Sequence, residues 1–190
     1  MRSFLHFPFT RKARRERIIA RGLISAHTLD SAALKAPVLR GLDDGESYRL
    51  RYLATVFLEE KEFFTAGGAV VEDSLEAAVS CQACLPILNL GIDWYDGWST
   101  IIFTPREYRV QNREVDEAGV VREYEDEAAG EVLEAGSVVF SLKDIEAAKR
   151  GFNVIIHEMA HKIDGRSGAI DGLPPLSRER REVWKKVFAE

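Results

Sequence analysis

The hydrophobic pattern of this chain changes period near residue 98. Before that point the apolar residues recur at helical spacing. In "GESYRLRYLATVFLEEKE" (45–62), Leu50, Leu53, Ala54, Phe57 and Leu58 share one side of a helix. A second helix is expected over about 73–88, where D-S-L-E places Asp73 as a capping residue and Glu76 three positions on. Pro86 should kink or end it. Residues 10–24 read as a basic helix, and "FFTAGGAVV" as a turn through Gly67 and Gly68 with short extended flanks.

After residue 98 the segments shorten and fill with Val, Ile, Tyr and Phe. "WSTIIFTP" (98–105), "YRVQNREV" (108–115), "GVVREYED" (119–126) and "GSVVFS" (136–141) read as strands, with a hairpin at Ala118-Gly119. A short helix over 143–150 ends at Gly151. Another helix follows over about 152–164. A loop rich in Gly and Pro leads to a last helix that Ser177 can cap. Helices, then strands, then helices define an α+β fold. We expect N-terminal helices packed with a small mixed or antiparallel sheet. The chain has 190 residues, a length for one domain, mainly helical over 1–97 and carrying the sheet and last helices over 98–190.

The helix at 152–164 carries the chemistry. "NVIIHEMAHKID" (153–164) contains H-E-x-x-H, with His157, Glu158 and His161. Side chains at i and i+4 meet on one helix face, so His157 and His161 can grip a single zinc ion. Glu158 lies about 100° round the helix, within reach of a water on that ion without being a ligand. It can take the water's proton and pass it to a leaving amine. Val154, Ile155, Ile156, Met159, Ala160 and Ile163 make the helix apolar nearly all round, so we expect it to be buried. The competing reading is a core helix whose histidines pack or cap and bind nothing.

The third ligand is harder to find. A metzincin would repeat x-x-G-x-x-H after the motif, but Asp164 and Ser167 occupy those positions. A gluzincin takes a Glu from a later helix, and Glu179, Glu182 and Glu190 are the glutamates that follow. Asp164 falls on the histidine face. It can orient an imidazole, close the helix end or meet Arg166.

Charge excludes some functions. A net charge of −5 argues against direct nucleic-acid binding. Arg11, Lys12, Arg14, Arg15 and Arg17 form a basic run, and residues 114–134 an acidic one. Each reads as a solvated face, with an acidic partner as the sharper reading of the first. No apolar run reaches membrane-spanning length and no secretory leader is evident, so a cytoplasmic location is expected. Cys81 and Cys84, the only cysteines, read as buried apolar thiols. Trp94, Tyr95 and Trp98 in "WYDGW" either pack the junction between helices and sheet or anchor a partner.

"HEMAHKIDGRSGAIDGLPPL" (157–176) resembles the motif segment of the Mlc titration factor A family of bacterial zinc metallopeptidases. "QACLPILNLGIDWYDGW" (82–98), "RLRYLATVFLEEKEF" (49–63) and "GSVVFSLKDI" (136–145) resemble further blocks of that family. Leu142 stands where the family commonly has tryptophan. The resemblance covers most of the chain from about residue 42 onward. It implies a zincin-like fold, similar to the catalytic domain of anthrax lethal factor. It also implies His157 and His161 as zinc ligands and Glu158 as the base. Aminopeptidase-type activity on peptides and binding of an Mlc-like transcription repressor are implied in the same way. The alternative is a non-catalytic protein that sequesters such a repressor. In that family the third ligand is a Glu on a helix well downstream. The resemblance therefore places it beyond Glu190, in a chain that reads as truncated, metal-poor and weakly active in this form.

Overall fold

The computed structural model describes residues 10–105, 136–147, 152–168, 172 and 175–188. The expected strands at 108–115 and 119–126, their hairpin and the acidic run lie outside these residues. Four helices precede the second strand: α1 (Arg11–Ala20), α2 (Ala26–Lys35), α3 (Asp44–Glu60) and α4 (Asp73–Cys84). Strand β1 (Glu62–Thr65) separates α3 from α4, and β2 (Thr100–Thr104) follows them. Beyond it lie β3 (Val138–Ser141), α5 (Leu142–Ala147), α6 (Val154–Asp164) and α7 (Arg178–Phe188). The mixture of helices and a small sheet is the expected α+β organisation.

Local chemistry sets the helix ends. Asp43 caps α3 in a reciprocal box: its Oδ1 accepts from the Glu46 N–H at 2.7 Å, and Glu46 Oε2 accepts from the Asp43 N–H at 3.0 Å. The box expected at Asp73 does not form. Glu72 is the N-cap of α4 and makes no side-chain capping bond, and Asp73 is already inside the first turn. Helix α4 gives way to a 3-10 turn over Leu85–Ile87, where Pro86 denies the helix a donor. Asp43→Ala is expected to lower stability by about 1 kcal/mol, read as a lower midpoint in urea with an unchanged slope.

The three strands among the described residues lie in the order β1-β2-β3, and both pairings are parallel. Sequence periodicity had pointed to a mixed or antiparallel sheet. A parallel pair needs a long crossover, and α4 supplies it between β1 and β2. In register, Phe63 faces Ile101, Ile101 faces Val138 and Phe103 faces Phe140. Three phenylalanine rings cross the sheet from strand to strand. Phe63 stacks on Phe103 at 6.1 Å between centroids, and Phe103 meets Phe140 at 6.2 Å. Strand β2 buries Ile101 through Thr104 on both faces, as the centre of a parallel sheet does.

The core lies between this sheet and α3 and α4. Leu50, Ala54, Val56 and Phe57 of α3 meet Val79, Cys81, Ala83 and Cys84 of α4, all fully buried. Both thiols are free. Burial pushes the Cys81 thiol up to about 12 and the Cys84 thiol well above its ordinary value. They act as small apolar groups and not as nucleophiles.

"WYDGW" packs; it does not project. Tyr95 is buried, and its hydroxyl donates to the Ala83 carbonyl at 2.7 Å. Its ring and that of Trp98 meet Phe57 edge-on at 5.8 and 6.0 Å. The basic run is also less solvated than expected. Arg14 and Arg17 are exposed, but Arg15 is buried. It ion-pairs with Glu60 and Asp96, each at 3.1 Å, and with Asp93. Burial opposes the Arg15 charge, yet the bonds from Glu60 and Asp93 outweigh it and raise its proton affinity. The acidic partner of this arginine is therefore the chain itself.

Candidate metal centre

Helix α6 is anchored at the residue before its first turn. Asn153 is the N-cap, and its Oδ1 accepts from the Ile156 N–H at 3.1 Å. The Asn153 amide nitrogen also donates to Gln82 Oε1 at 2.8 Å, which ties the helix start to α4. Ile155 and Met159, one turn apart, are 1% and 0% exposed and plug the core. With those two positions facing inward, positions 157 and 161 turn outward.

The helix is therefore not buried all round, as its apolar composition had suggested. Its buried residues are Ile155, Met159 and Asp164; Val154, Ile156 and Ile163 are half-buried and Ala160 is exposed. His157 is exposed, while Glu158 and His161 are half-buried. This half-open setting suits a reactive site better than full burial, because solvent and a ligand can reach the imidazoles.

The two rings converge. His157 Nε2 and His161 Nε2 lie 3.1 Å apart, with the rings edge-on and their centroids at 4.5 Å. Two nitrogens bound tetrahedrally to one zinc stand about 3.3 Å apart, given bonds of 2.0–2.1 Å. The pair fits two ligand positions of one ion. The Phe152 ring rests against His157 at 5.3 Å, although Phe152 is itself exposed.

Among the described residues, no third His, Cys, Asp or Glu joins this pair in a group able to hold a metal. Glu179 and Glu182 sit exposed on α7 and do not complete the set. Ser177 caps that helix as expected, accepting from the Arg180 N–H at 3.5 Å. Glu190 is outside the described residues.

Asp164, at the end of α6, holds the loop that follows. It is buried, and its Oδ2 accepts from the Gly172 N–H at 2.7 Å. The Trp184 indole N–H donates to the Gly172 carbonyl at 3.2 Å, so one glycine joins the end of α6 to α7. Arg166 bonds to the Asp93 carbonyl and stacks on Trp94 at 5.3 Å, which fastens the turn after α6 to "WYDGW".

Sequence reading missed Asn153, Gln82, Phe152 and Lys162 as residues that shape the site. Only Asn153 carried a signal, as an Asn directly before an apolar helix. The other three act through contacts distant in sequence or between neighbouring rings.

An α+β domain that brings two imidazoles together one helical turn apart, with a glutamate beside them, presents the pattern of a metallopeptidase. The profile of the glucose-regulated metallo-peptidase M90 family matches residues 10–190, and the chain belongs to that family. Similar curated relatives are the Mlc titration factor A proteins of Yersinia pestis (strain Pestoides F) and Yersinia pseudotuberculosis serotype O:1b (strain IP 31758). Each is 31% identical over 156 residues, which cover 80% of this chain and 58% of the relative. The chain thus spans a little over half the length of these relatives. No helix among the described residues is long and apolar enough to cross a membrane.

Proposed function

We propose that this chain carries the metal-binding part of a zinc-dependent, aminopeptidase-type peptidase with a zincin-like fold. The observation that carries the reading is the 3.1 Å approach of His157 Nε2 to His161 Nε2 on an open helix face. His157 and His161 would hold zinc through neutral imidazole nitrogens. Zinc held there would polarise a peptide carbonyl and acidify a water molecule. Glu158 takes the proton of the attacking water and returns it to the departing amine. Asn153, Ile155 and Met159 keep the helix in place while this happens. We place the third ligand outside the described residues, since Glu179 and Glu182 do not supply it.

Titration with zinc tests the metal reading directly. The wild-type chain is expected to bind one ion per chain. His157→Ala and His161→Ala should each abolish that binding with the fold intact by circular dichroism. Equal uptake by the wild type and both variants would reject the site.

The names of the relatives support a second property. Those proteins are called titration factors for Mlc, and we propose an Mlc-like transcription repressor as a partner of this chain as well. Tyr95 is buried and Trp98 packs on Phe57, so these two rings of "WYDGW" are not free to anchor it. Capture of a purified repressor of this type by both the wild type and Glu158→Gln would support binding independent of catalysis. No capture by either would reject it.

A further inference from the structure

Lys162 follows His161 directly, and the peptidase chemistry proposed above gives it no role. Its ammonium donates to the Gly136 carbonyl and to the Ser137 carbonyl, the latter at 3.3 Å. Those two residues lead into β3, an edge of the described sheet. Gly136 has a φ of 79°, a left-handed conformation that glycine adopts without steric cost, and this turn presents both carbonyls to Lys162.

The same ammonium lies 5.4 Å from the centre of the Trp98 ring. Trp98 receives a second lysine on its ring: Lys61 Nζ at 3.7 Å, which also donates to the Tyr95 carbonyl at 2.7 Å. One indole therefore joins the last turn of α6 to the aromatic cluster on Phe57. Lys162 is half-buried. Burial lowers its proton affinity, while the charge of Glu158, one turn earlier, favours the ammonium. A long cation used only for solubility would point its head into water. This one spends its donors on two backbone acceptors that are remote in sequence.

We propose that Lys162 is a positioning residue that locks the His161 turn of α6 to the entry of β3. The lock sets the separation between the meeting point of the two imidazoles and β3, on which α6 packs. The lock itself depends only on the fold; its effect on metal binding rests on the reading given under the proposed function.

The test uses the 190-residue chain with Lys162→Met, which keeps the stem and removes the donors, and Lys162→Arg, which keeps a cation and donors. Two readouts are taken: amide hydrogen exchange across the molecule, and binding of cobalt(II), followed by its visible absorbance. In Lys162→Met, exchange should rise about tenfold in the last turn of α6 and around residues 136–141, with α3 and α4 unchanged. Cobalt affinity should fall about tenfold or more, the scale for losing a group that orients a metal ligand. Lys162→Arg should stay within about threefold of wild type in both readouts, since its guanidinium can still donate to both carbonyls. Unchanged exchange in Lys162→Met would overturn the proposal. So would a uniform rise that includes α3 and α4, which marks general destabilisation, or a local rise with cobalt affinity unaltered. If the wild-type chain binds no cobalt, the metal reading fails by itself, and the exchange pattern still decides the lock.

Discussion

Under the proposed peptidase reading, Glu158→Gln is expected to lower peptide hydrolysis by about 100- to 10,000-fold, the usual contribution of a general acid–base group. The substitution is nearly isosteric. It removes the proton acceptor but leaves the half-buried side chain, its helix and both imidazoles in place. Metal binding should therefore persist at the wild-type level, because Glu158 is not one of the nitrogen donors that meet at 3.1 Å. The assay compares turnover of a peptide substrate at saturating zinc with zinc affinity in the same preparations. Turnover retained within threefold of wild type would reject Glu158 as the base. Loss of zinc together with activity would make it a ligand instead.

The second large effect belongs to the core. Phe57 is fully buried and meets both Tyr95 and Trp98 edge-on. Phe57→Ala removes a large ring from a position with no solvent to fill it, and such truncations cost about 3–5 kcal/mol. That is a large share of the 5–15 kcal/mol by which typical domains are stable. The variant is expected to unfold at much lower urea, or to fail to fold at 37 °C. A loss below about 1 kcal/mol would mean that the cluster can collapse around the gap. Trp98 carries both Lys61 and Lys162 on its ring, so damage here should loosen the end of α6 too.

Some of this was legible in the residues. The apolar spacing of Leu50, Leu53, Ala54 and Phe57 placed α3 and its buried face, and Gly67-Gly68 marked the turn after β1. The i, i+4 histidines placed two converging imidazoles on one helix, as α6 carries them, because that convergence follows from helix geometry alone. Family blocks identified the metallopeptidase family, which the matched profile bears out.

Other features depended on partners that a sequence does not display. A mixed or antiparallel sheet was expected, although the short continuous apolar runs of β2 and β3 are what buried parallel strands show. The helix between β1 and β2 was the usable cue, since it calls for a crossover. The apolar run in α6 suggested full burial, yet among its apolar residues only Ile155 and Met159 are buried, while Val154 and Ile163 pack half-buried against the core. Asp73 resembled a cap, but the helix begins one residue earlier in register than that role requires. Arg15 is surrounded in sequence by solvated charges, and its burial depends on Glu60, Asp93 and Asp96 coming together.

The parallel sheet also bears on how this chain reaches its native state. Glu62 pairs with Thr100, and Ile101 with Val138. Each pairing closes a loop of roughly forty residues, and the entropy of that closure is lost before any strand contact offsets it. No hairpin joins the described strands to nucleate the sheet locally. Helices α3 and α4, in contrast, are nearly consecutive and can dock early around Phe57 and Val79. The order of assembly that follows is helices first, sheet later, at a rate below that of a helical bundle of similar stability. Until β3 docks, Lys162 has no carbonyls to hold, so the end of α6 is fastened to the sheet late, although its imidazoles can converge once the helix forms.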